Sequence, residues 1–428
     1  LYEHTARELD VACAVAAILE KDYHLSVEIV QWPTGFPGVV TKIRPRLVIL
    51  PFCYFDQSYR MMLAYWRKSI FLNLTWEQLF YLGNQKAKMP RGDFPLKHVL
   101  HHSWSDEYAD FLVKAGIPRE HIFVNGHLAY ALYDEPYRQY FSSRKDLADR
   151  YHLDPLLQWI FFPENYNWAF YSAATVQKFI ENGQSPDDVK VMQDYCTQSL
   201  REVLIWCDVA AREGQVEIIL RPRPSTSIED FLAFVKSVLS KTSVRFHIIQ
   251  QESVREWILA SDIVVSSHST SLIEAAIAGK YVSMVVPFSV PSQLHVGWHD
   301  FLPQIHTQNE FIQLVRLNKL KNHALEHWAR STMMKTGDAI YDLAMYLVKL
   351  LHNEIEIPPS LPQKNVIFWF KVIPPAWIWA FYRRLKLFLR HPASGGMDPE
   401  YAKDYVPRSG IRARIQKWTQ LLIFLERR

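Results

Sequence analysis

Short apolar runs alternate with amphipathic segments along residues 1–345, and this pattern predicts strands alternating with helices. Leu47–Leu50 and residues 263–265 are uniformly apolar and rich in β-branched side chains, as strands buried in parallel sheets are. Residues 8–21 and 192–213 place their apolar side chains at helical spacing. Strand, helix and strand in alternation predict an α/β fold with doubly wound parallel sheets. Because 428 residues exceed one such domain, we expect two Rossmann-like domains.

The same pattern predicts three regions. Residues 1–150 form a first domain, residues 151–345 a second, and residues 346–428 an extension of different character. Residues 25–30 alternate in polarity and predict a strand. Leu1 stands inside what reads as an earlier strand, so a few native residues are expected before it.

The densest group of hydroxyl side chains lies between a predicted strand and a predicted helix. His268 is followed by Ser269, Thr270 and Ser271, and a helix starting near Ser271 would offer free backbone N–H groups to an anion. Glu274, one turn into that helix, could hold a ribose or sugar hydroxyl. The alternative is an ordinary capped helix, because Ser and Thr are common N-caps.

Charged side chains follow two other strands of the second domain. Arg221 and Arg223 are spaced by prolines that restrict the backbone, which suits bidentate binding of phosphate or carboxylate. Glu164 is the first candidate for a catalytic carboxylate, as base or nucleophile, with helix capping as the alternative. Asn165 and Tyr166 follow it and are predicted to face a cleft between the domains.

The first domain offers polar groups after its first and fourth strands. Glu3, His4 and Arg7 follow the first strand, where parallel sheets bind ligands. Glu3 and His4 are secondary catalytic candidates, and Arg7 and Trp76 are predicted to face a substrate in the cleft. Simple capping of the next helix is the alternative for the charged group.

Composition narrows the class of protein. Hydrophobic residues make up 49% and charged residues 21% of the chain, which is a globular balance. The four cysteines are scattered and predict buried thiols in a reducing compartment. No His and Cys spacing suits zinc, so we expect no metal and no cofactor. No apolar run is long enough to cross a bilayer.

The positive charge is concentrated at the end of the chain. Residues 365–428 carry a net charge of +8, whereas the whole chain carries +4. Aromatic and aliphatic side chains alternate there with Arg and Lys, notably over residues 366–390 and 411–428. This pattern predicts helices in the interface of an anionic membrane, with packing on the globular body as the alternative. Basic residues among bulky aliphatics do not suggest nucleic-acid binding.

Five motifs along the chain carry a resemblance: L-Y-E-H-x-A-R-E-L-D at 1–10, N-L-T-W-E-Q at 73–78, F-F-P-E-N-Y at 161–166, R-P-R-P at 221–224 and S-H-S-T-S-x-x-E-A at 267–275. Together they resemble bacterial surface carbohydrate biosynthesis proteins and, more distantly, GT-B glycosyltransferases that move Kdo or sialic-type sugars from CMP. The resemblance covers most of residues 1–345, but the His-Pro pair common in such CMP-sugar sites is absent, and Arg223-Pro224 occupies the analogous strand end.

The resemblance implies a metal-independent GT-B glycosyltransferase. Its first domain would bind a lipid-linked glycan acceptor and its second a nucleotide-sugar donor, with a CMP-linked 2-keto acid sugar such as Kdo as one option. It would act as a peripheral protein at the cytoplasmic face of a bacterial inner membrane, on surface polysaccharide or lipopolysaccharide. Two alternatives remain open: a sugar-nucleotide epimerase, and a non-catalytic partner in polysaccharide assembly.

Overall fold

The computed structural model describes most of the chain up to residue 361 and a final helix. The described residues are 1–32, 39–40, 42–56, 62, 65–80, 85, 88–181, 183–224, 226–317, 323–334, 337–361, 381, 385 and 405–426. The predicted membrane-interface segment at 366–390 therefore lies, apart from residues 381 and 385, outside the described residues.

Short strands follow one another along the chain: β1 (Leu47–Leu50), β2 (Ile70–Asn73), β3 (Leu100–Ser103), β4 (Ile122–Val124), β5 (Gln158–Pro163), β6 (Val216–Arg221), β7 (Phe246–Ile248), β8 (Ile263–Ser266), β9 (Tyr281–Val285) and β10 (Gln304–Ile305). They form one sheet of order β1-β2-β3-β4 and another of order β10-β9-β8-β5-β6-β7. All of these pairings are parallel, which confirms the predicted parallel sheets.

Helices separate most of the strands, as the hydrophobic pattern predicts. In chain order they are α1 (Asp10–Tyr23), α2 (Asp93–Lys97), α3 (Asp106–Lys114), α4 (Leu128–Ala131), α5 (Arg144–Tyr151), α6 (Ala173–Glu181), α7 (Pro186–Glu213), α8 (Ile228–Val238), α9 (Val254–Ala260), α10 (Ser271–Ile277), α11 (Gln308–Arg316), α12 (Ala324–Met333), α13 (Ala339–Leu351) and α14 (Arg408–Glu426).

The chain forms two compact units whose limits differ from the predicted limits of 150 and 345. From residue 332 onward the chain belongs again to the first unit. The physical reason lies in α13, which packs against α1 with Leu343 and Leu347 fully buried. Unit 1 contains Leu1–Phe80, Asn84–Leu132 and Thr332–Arg428, and unit 2 contains Tyr81–Gly83 and Tyr133–Ser331.

In unit 1 the first two predicted strands are reduced to a single bridge. Tyr2 forms a parallel bridge with Gln31. Residues 24–30 belong to no strand, although their exposure alternates as in one. A strand requires a hydrogen-bonded neighbour, and only the bridge at Tyr2 supplies one among the described residues.

Unit 2 is built around β5, which lies between β8 and β6. Trp159 to Pro163 are all buried, as expected of a central parallel strand. Helix α7 packs its apolar side into the same core and carries two of the four buried, unpaired cysteines. It begins earlier than predicted because Ser185 and Pro186 start it, with Pro at its first position.

Helix α14 packs on α1 within unit 1. Ile411, Ile415 and Trp418 are buried, Trp418 completely. These three side chains therefore do not face a bilayer, contrary to the membrane-interface prediction. The apolar stripe of an amphipathic helix is satisfied equally by lipid or by protein, and here it is covered by protein.

Ion pairs fix α14 from its polar side. Arg414 contacts the buried Asp10 at 2.8 Å, and Arg412 contacts Glu20 at 2.7 Å. The basic residues that predicted an anionic membrane thus meet carboxylates of the same unit at these points. Over the described residues, no helix combines the length and apolarity that a membrane crossing would need.

Candidate functional site

The carboxyl ends of β5, β6 and β8 bring most of the predicted donor-binding residues to one edge of the unit 2 sheet. Pro163 pairs with Arg221, and the N–H of Glu164 donates to the Arg221 carbonyl at 2.9 Å. The Ser266 hydroxyl donates to the Pro163 carbonyl at 2.5 Å and so ties the end of β8 to that of β5. This edge is where parallel sheets bind ligands.

Glu164 is a buried carboxylate directly after β5, and 3% of it is exposed. One of its oxygens accepts the N–H of Tyr166 and the other accepts the N–H of Arg223 at 3.3 Å. Burial raises its pKa, and the two N–H donors and the Arg223 charge act in the opposite direction. A carboxylate with two such bonds still has lone pairs for a further donor.

The two predicted arginines have different surroundings. Arg221 is buried and donates through Nε and Nη2 to the Glu252 carbonyl, at 3.2 and 2.8 Å. Burial lowers its pKa to about 10. Arg223 is only partly buried and donates through Nη1 to the Asn165 side-chain oxygen at 3.0 Å. Arg223, held beside Glu164, is therefore the better placed of the two for an anionic ligand.

His268 follows β8 and is almost fully buried. Its Nδ1 has no hydrogen-bond partner among the described residues. Burial lowers its pKa to about 3, and the charges of His299 and Arg223 act in the same direction, so the ring is neutral near pH 7. His299, from the loop after β9, is also buried, and burial lowers its pKa to about 4. A neutral, unpartnered ring nitrogen can donate to or accept from a ligand.

The hydroxyl-rich turn differs from the prediction of free backbone N–H groups. The Ser269 hydroxyl accepts the N–H of Ser271 at 3.3 Å, and the Ser269 carbonyl accepts that of Leu272 at 3.1 Å. The next N–H, of Ile273, donates to the Thr270 carbonyl at 3.0 Å. The backbone N–H groups in the first turn of α10 thus already have hydrogen-bond acceptors within the turn. Thr270 is exposed and carries the most accessible hydroxyl there.

Glu274 is engaged within unit 2. The Tyr133 hydroxyl donates to its Oε2 at 2.6 Å. Burial raises its pKa, while the charge of Arg255 lowers it. Arg255 is buried, with its guanidinium 5.6 Å from the Tyr133 ring centre. Sequence reasoning missed Tyr133 and Arg255, because no local pattern connects either of them to Glu274.

Asn165 and Tyr166 have separate roles. Asn165 is partly exposed and holds Arg223. The Tyr166 ring is fully buried in the unit 2 core, 6.4 Å from the Phe162 ring. Its side chain therefore lies in the core and not at a cleft surface as predicted, because the backbone turns at this point to give its N–H to Glu164.

In unit 1, Arg7 is the centre of the predicted charged group. It contacts Glu3 at 3.0 Å, Glu8 at 2.7 Å and Glu77 at 2.9 Å. Glu8 is buried, and its other oxygen accepts the N–H of Glu3 at 2.7 Å. His4 is more exposed and lies 3.9 Å from Glu3. Sequence reasoning missed Glu8, although it stands in the first motif, because its position reads as the start of a helix.

Trp76 belongs to an aromatic cluster of unit 1. It is mostly buried, and its ring centre is 6.5 Å from that of His127. Trp104 and Tyr130 lie 3.8 and 3.6 Å from the same imidazole. Among the described residues no group of three or more His, Cys, Asp or Glu could hold a metal ion.

Comparison with known proteins gives structural likeness only. The chain matches no protein-family model and no curated protein by sequence. A co-structure of S. aureus MnaA with UDP is similar over 83% of this chain and 97% of that chain, with a TM-score of 0.51 and 12% identity.

Two other solved structures align at lower scores. The alignment with a putative UDP-N-acetylglucosamine 2-epimerase from Listeria monocytogenes covers 84% of this chain and 98% of the epimerase, with 12% identity and a TM-score of 0.47. Anabaena Alr3699/HepE in complex with UDP-glucose covers 82% and 98%, with 12% identity and a TM-score of 0.44. At such identities the likeness concerns the fold: an α/β, GT-B-like chain of two Rossmann-like domains.

Proposed function

We propose that the protein is a GT-B-type glycosyltransferase that moves a sugar from a nucleotide-sugar donor to a bacterial surface glycan. The observation that carries this proposal lies at the carboxyl edge of the unit 2 sheet, where the buried Glu164 accepts the backbone N–H of Arg223 and Asn165 accepts from the Arg223 guanidinium. A half-buried cation, a buried carboxylate and a neutral histidine together suit a ligand with both phosphate and hydroxyl groups.

Arg223 binds the donor phosphate and stabilises the charge that the departing nucleotide develops. It does so without a metal ion, in keeping with the sequence-based expectation. Thr270 and Ser271 add hydroxyl donors, and Arg221 supports the edge through Glu252. His268 supplies its free Nδ1 to the donor. Glu164 acts as the base toward the acceptor hydroxyl, since burial raises its pKa toward the range where a carboxylate accepts a proton readily.

The nucleotide of the donor is the finer part of the proposal. The sequence motifs favour a CMP-linked 2-keto acid sugar, for which a second cation would pair with the sugar carboxylate. S. aureus MnaA, a protein of similar fold, was solved with UDP, so UDP is the other candidate. Since fold likeness at 12% identity does not carry a ligand with it, both nucleotides belong in the test.

For the acceptor we propose a lipid-linked glycan that contacts unit 1, at the cytoplasmic face of a bacterial inner membrane. The polar group around Arg7 offers carboxylates for sugar hydroxyls. We assign the membrane contact to the exposed side of α14, where Ile423 is 37% exposed and Phe424 is 47% exposed. This part of the proposal rests on the charge of residues 365–428.

The test is a thermal-shift panel of CMP, CDP, UDP, GDP, TDP and ADP on the wild type, on Arg223→Ala and on Arg316→Ala. Arg316 is an exposed arginine of the same unit and serves as the matched control. A nucleotide at a hundredfold its Kd should add about 2.7 kcal/mol. We expect one nucleotide to stabilise the wild type and the control but not Arg223→Ala.

The outcome also separates the alternatives. Stabilisation by CMP alone supports the 2-keto acid sugar donor, whereas stabilisation by one diphosphate keeps the transferase and rejects CMP. An epimerase would convert a UDP-sugar with no acceptor present, which chromatography of the sugar detects. If no nucleotide stabilises any variant, the transferase proposal fails and the assembly partner takes its place.

A further inference from the structure

The loop between β9 and β10, residues 286–303, starts at the carboxyl edge of the unit 2 sheet. Strands β8 and β9 are parallel neighbours, with Ser266 paired to Met284. Because the ends of parallel neighbours open onto one edge, this loop begins beside the turn that follows β8. The loop after β9 and the residues proposed to bind the donor therefore share one part of unit 2.

The loop is fixed to the body of unit 2 at several points. The Val286 N–H donates to the Ile305 carbonyl at 2.8 Å, and Leu294 is buried in the unit 2 core. The Gln293 side chain donates to the Asp188 carboxylate of α7 at 2.7 Å. The inner side chains of the loop therefore have defined positions relative to the sheet edge.

His299 is a fully buried histidine of this loop, and its contacts fix the position of its proton. Its Nδ1 accepts the N–H of Val296 at 3.4 Å. Because a neutral imidazole carries one proton, that proton is on Nε2. The Nε2 atom is buried and has no hydrogen-bond partner among the described residues. A buried N–H group without an acceptor lowers stability, so a purely structural role does not explain this one.

His268 contributes a second neutral nitrogen to the same neighbourhood. Its Nδ1 is likewise buried, and no residue that the structure describes forms a hydrogen bond with it. The pKa of His268 is lowered first by burial and then by the charges of His299 and Arg223, so these three groups lie within electrostatic reach of one another. Two neutral nitrogen atoms without partners thus stand near one cation.

The charges at this edge favour one class of sugar. Arg221 donates through two nitrogens to the Glu252 carbonyl, which leaves Arg223 for the donor phosphate. Glu164 is a buried carboxylate within reach of the Arg223 charge. A carboxylate on the sugar would compete with the phosphate for Arg223 and would be repelled by Glu164. A sugar hydroxyl needs only the neutral nitrogen atoms of the two imidazoles.

We propose that His299 is a specificity-determining residue of the donor site, where its Nε2–H donates to a hydroxyl oxygen of an uncharged donor sugar. The Nδ1 of His268 bonds to the same sugar. This inference rests on the proposed function and deepens it, because it selects between the two classes of donor. The donor is a nucleotide ester of a neutral sugar, and a CMP-linked 2-keto acid sugar does not fit.

Binding at His299 requires a movement within the loop, because its Nε2 is covered by protein. The outer part of the loop is held weakly. His295 contacts Asp300 at 3.4 Å, and the two side chains are 50% and 70% exposed. Such exposed ion pairs contribute little to stability. The His295 ring centre lies 5.4 Å from that of His299, so the weakly held part of the loop adjoins the proposed contact.

The experiment measures Kd by titration calorimetry for the glucose esters of UDP, CDP, GDP, TDP and ADP, each beside its free diphosphate. The proteins are the wild type, His299→Leu, His299→Gln and the control His323→Leu, which replaces an exposed histidine of the same unit. In the wild type and the control, at least one ester should bind more tightly than its free diphosphate. His299→Leu has no N–H to donate and should weaken that ester about tenfold, with the free diphosphate unchanged. His299→Gln keeps a side-chain N–H and should recover most of the loss.

The other results contradict the proposal, and they separate it from the proposed function. If His299→Leu weakens the free diphosphate as much as the ester, His299 acts on the phosphate or on the fold. If neither ligand is weakened, His299 does not contact the sugar. In both cases the wild type still binds nucleotide, so only this inference fails. If the wild type binds no diphosphate and no ester, the proposed function fails together with this inference.

A comparison on the wild type alone keeps the test decisive if the variants do not fold. The glucose ester that binds best is compared with the glucuronate ester of the same nucleotide, in which a carboxylate replaces one CH₂OH group. We expect the glucuronate ester to bind about tenfold more weakly or worse, because its carboxylate meets Glu164 without a cation of its own. CMP-N-acetylneuraminate should bind no more tightly than CMP. Equal binding of the two esters, or tighter binding of the CMP-linked acidic sugar, overturns the proposal.

Discussion

In both units polar side chains lie at the carboxyl edge of a parallel sheet, but the charge of these side chains differs between the two units. In unit 1 the ends of β2 and β3 are neutral, whereas the charged group around Arg7 follows Tyr2. The Asn73 amide donates to the Thr75 hydroxyl at 2.6 Å and lies 3.1 Å from Nδ1 of His101, whose Nε2 lies 2.8 Å from the Pro95 carbonyl. This pattern fits one neutral tautomer of His101, with the proton on Nε2. Burial accordingly lowers the pKa of His101 to about 4.

In unit 2 the edge carries charge. Glu164 is buried at a strand end beside the half-buried Arg223, and the His268 ring nitrogen Nδ1 lacks a partner among the described residues. Burying charge is costly, so a fold that needs only stability has little reason to place it there. The contrast indicates that the neutral ends of β2 and β3 mainly hold unit 1 together, whereas the unit 2 edge is prepared for a ligand.

The largest expected effect tests a property that the two edges share. His101 and His102 in unit 1, and His268 and His299 in unit 2, are buried and neutral, with pKa values lowered to between about 3 and about 4. The unfolded chain takes up these protons below pH 6.5 and the folded one does not, so stability is lost as pH falls from 6.5 toward 4. At pH 5 each histidine should cost about 2 kcal/mol.

The double variant His268→Gln, His299→Gln should therefore lose about 4 kcal/mol less than the wild type between pH 7.5 and pH 5, measured by urea unfolding. Burial raises the pKa of Glu164 and Glu274, and these carboxyls offset part of the acid loss in both proteins. His323→Gln replaces an exposed histidine and serves as the control for the substitution itself. If the double variant and the wild type lose the same free energy of unfolding between pH 7.5 and pH 5, the conclusion that these histidines are neutral in the folded protein is wrong.

The second prediction sharpens the contrast in function. Glu164→Gln keeps an acceptor for one of the two backbone N–H groups but removes the base. Sugar transfer should fall about 10²- to 10⁴-fold, as measured by product formation at saturating donor. The matched change in unit 1, Glu77→Gln, affects a half-exposed carboxylate and should lower the rate far less. A full loss in Glu77→Gln with an active Glu164→Gln would place the catalytic carboxylate in unit 1.

The third prediction separates the stability of unit 1 from the ligand site of unit 2. Trp418→Ala removes a fully buried ring of α14 and should cost about 3–5 kcal/mol in thermal unfolding. Gln420→Ala, exposed on the same helix, should cost almost nothing. Nucleotide-dependent stabilisation should persist in both. Unchanged stability of Trp418→Ala together with weaker sedimentation on anionic vesicles would instead favour a membrane role for Trp418.

The parallel sheets were predictable because the pattern that signals them is local. Apolar runs such as Leu47–Leu50 and 263–265 predict buried strands from their own residues alone. The return of the chain to unit 1 was not, because it depends on Leu343 and Leu347 meeting α1. The same limit applies to Trp418: its stripe predicts a covered face, and only tertiary structure decides what covers it.

The candidate site divides in the same way. The neighbourhood of Glu164 and Arg223 follows from sequence, since both stand just beyond parallel strands and such strand ends meet. The partners of Glu274 do not follow, because Tyr133 and Arg255 reach it from remote segments whose local patterns say nothing about a carboxylate. The first turn of α10 was also misjudged, since Ser269 satisfies the N–H groups that were expected to be free.

The smallest expected effect tests whether the unit 1 edge is structural. Asn73→Ala removes the amide beside His101 and leaves its Nδ1 without this neighbour, so unfolding should become easier by about 1–3 kcal/mol. Sugar transfer and nucleotide binding by the folded variant should stay near wild type, because the bonds of Asn73 run to Thr75 and His101 and not to a charged group. Urea unfolding and transfer assays on one preparation measure both. A variant of unchanged stability with little transfer would mean that the neutral edge also contacts substrate, and the contrast between the two units would then be one of ligand chemistry.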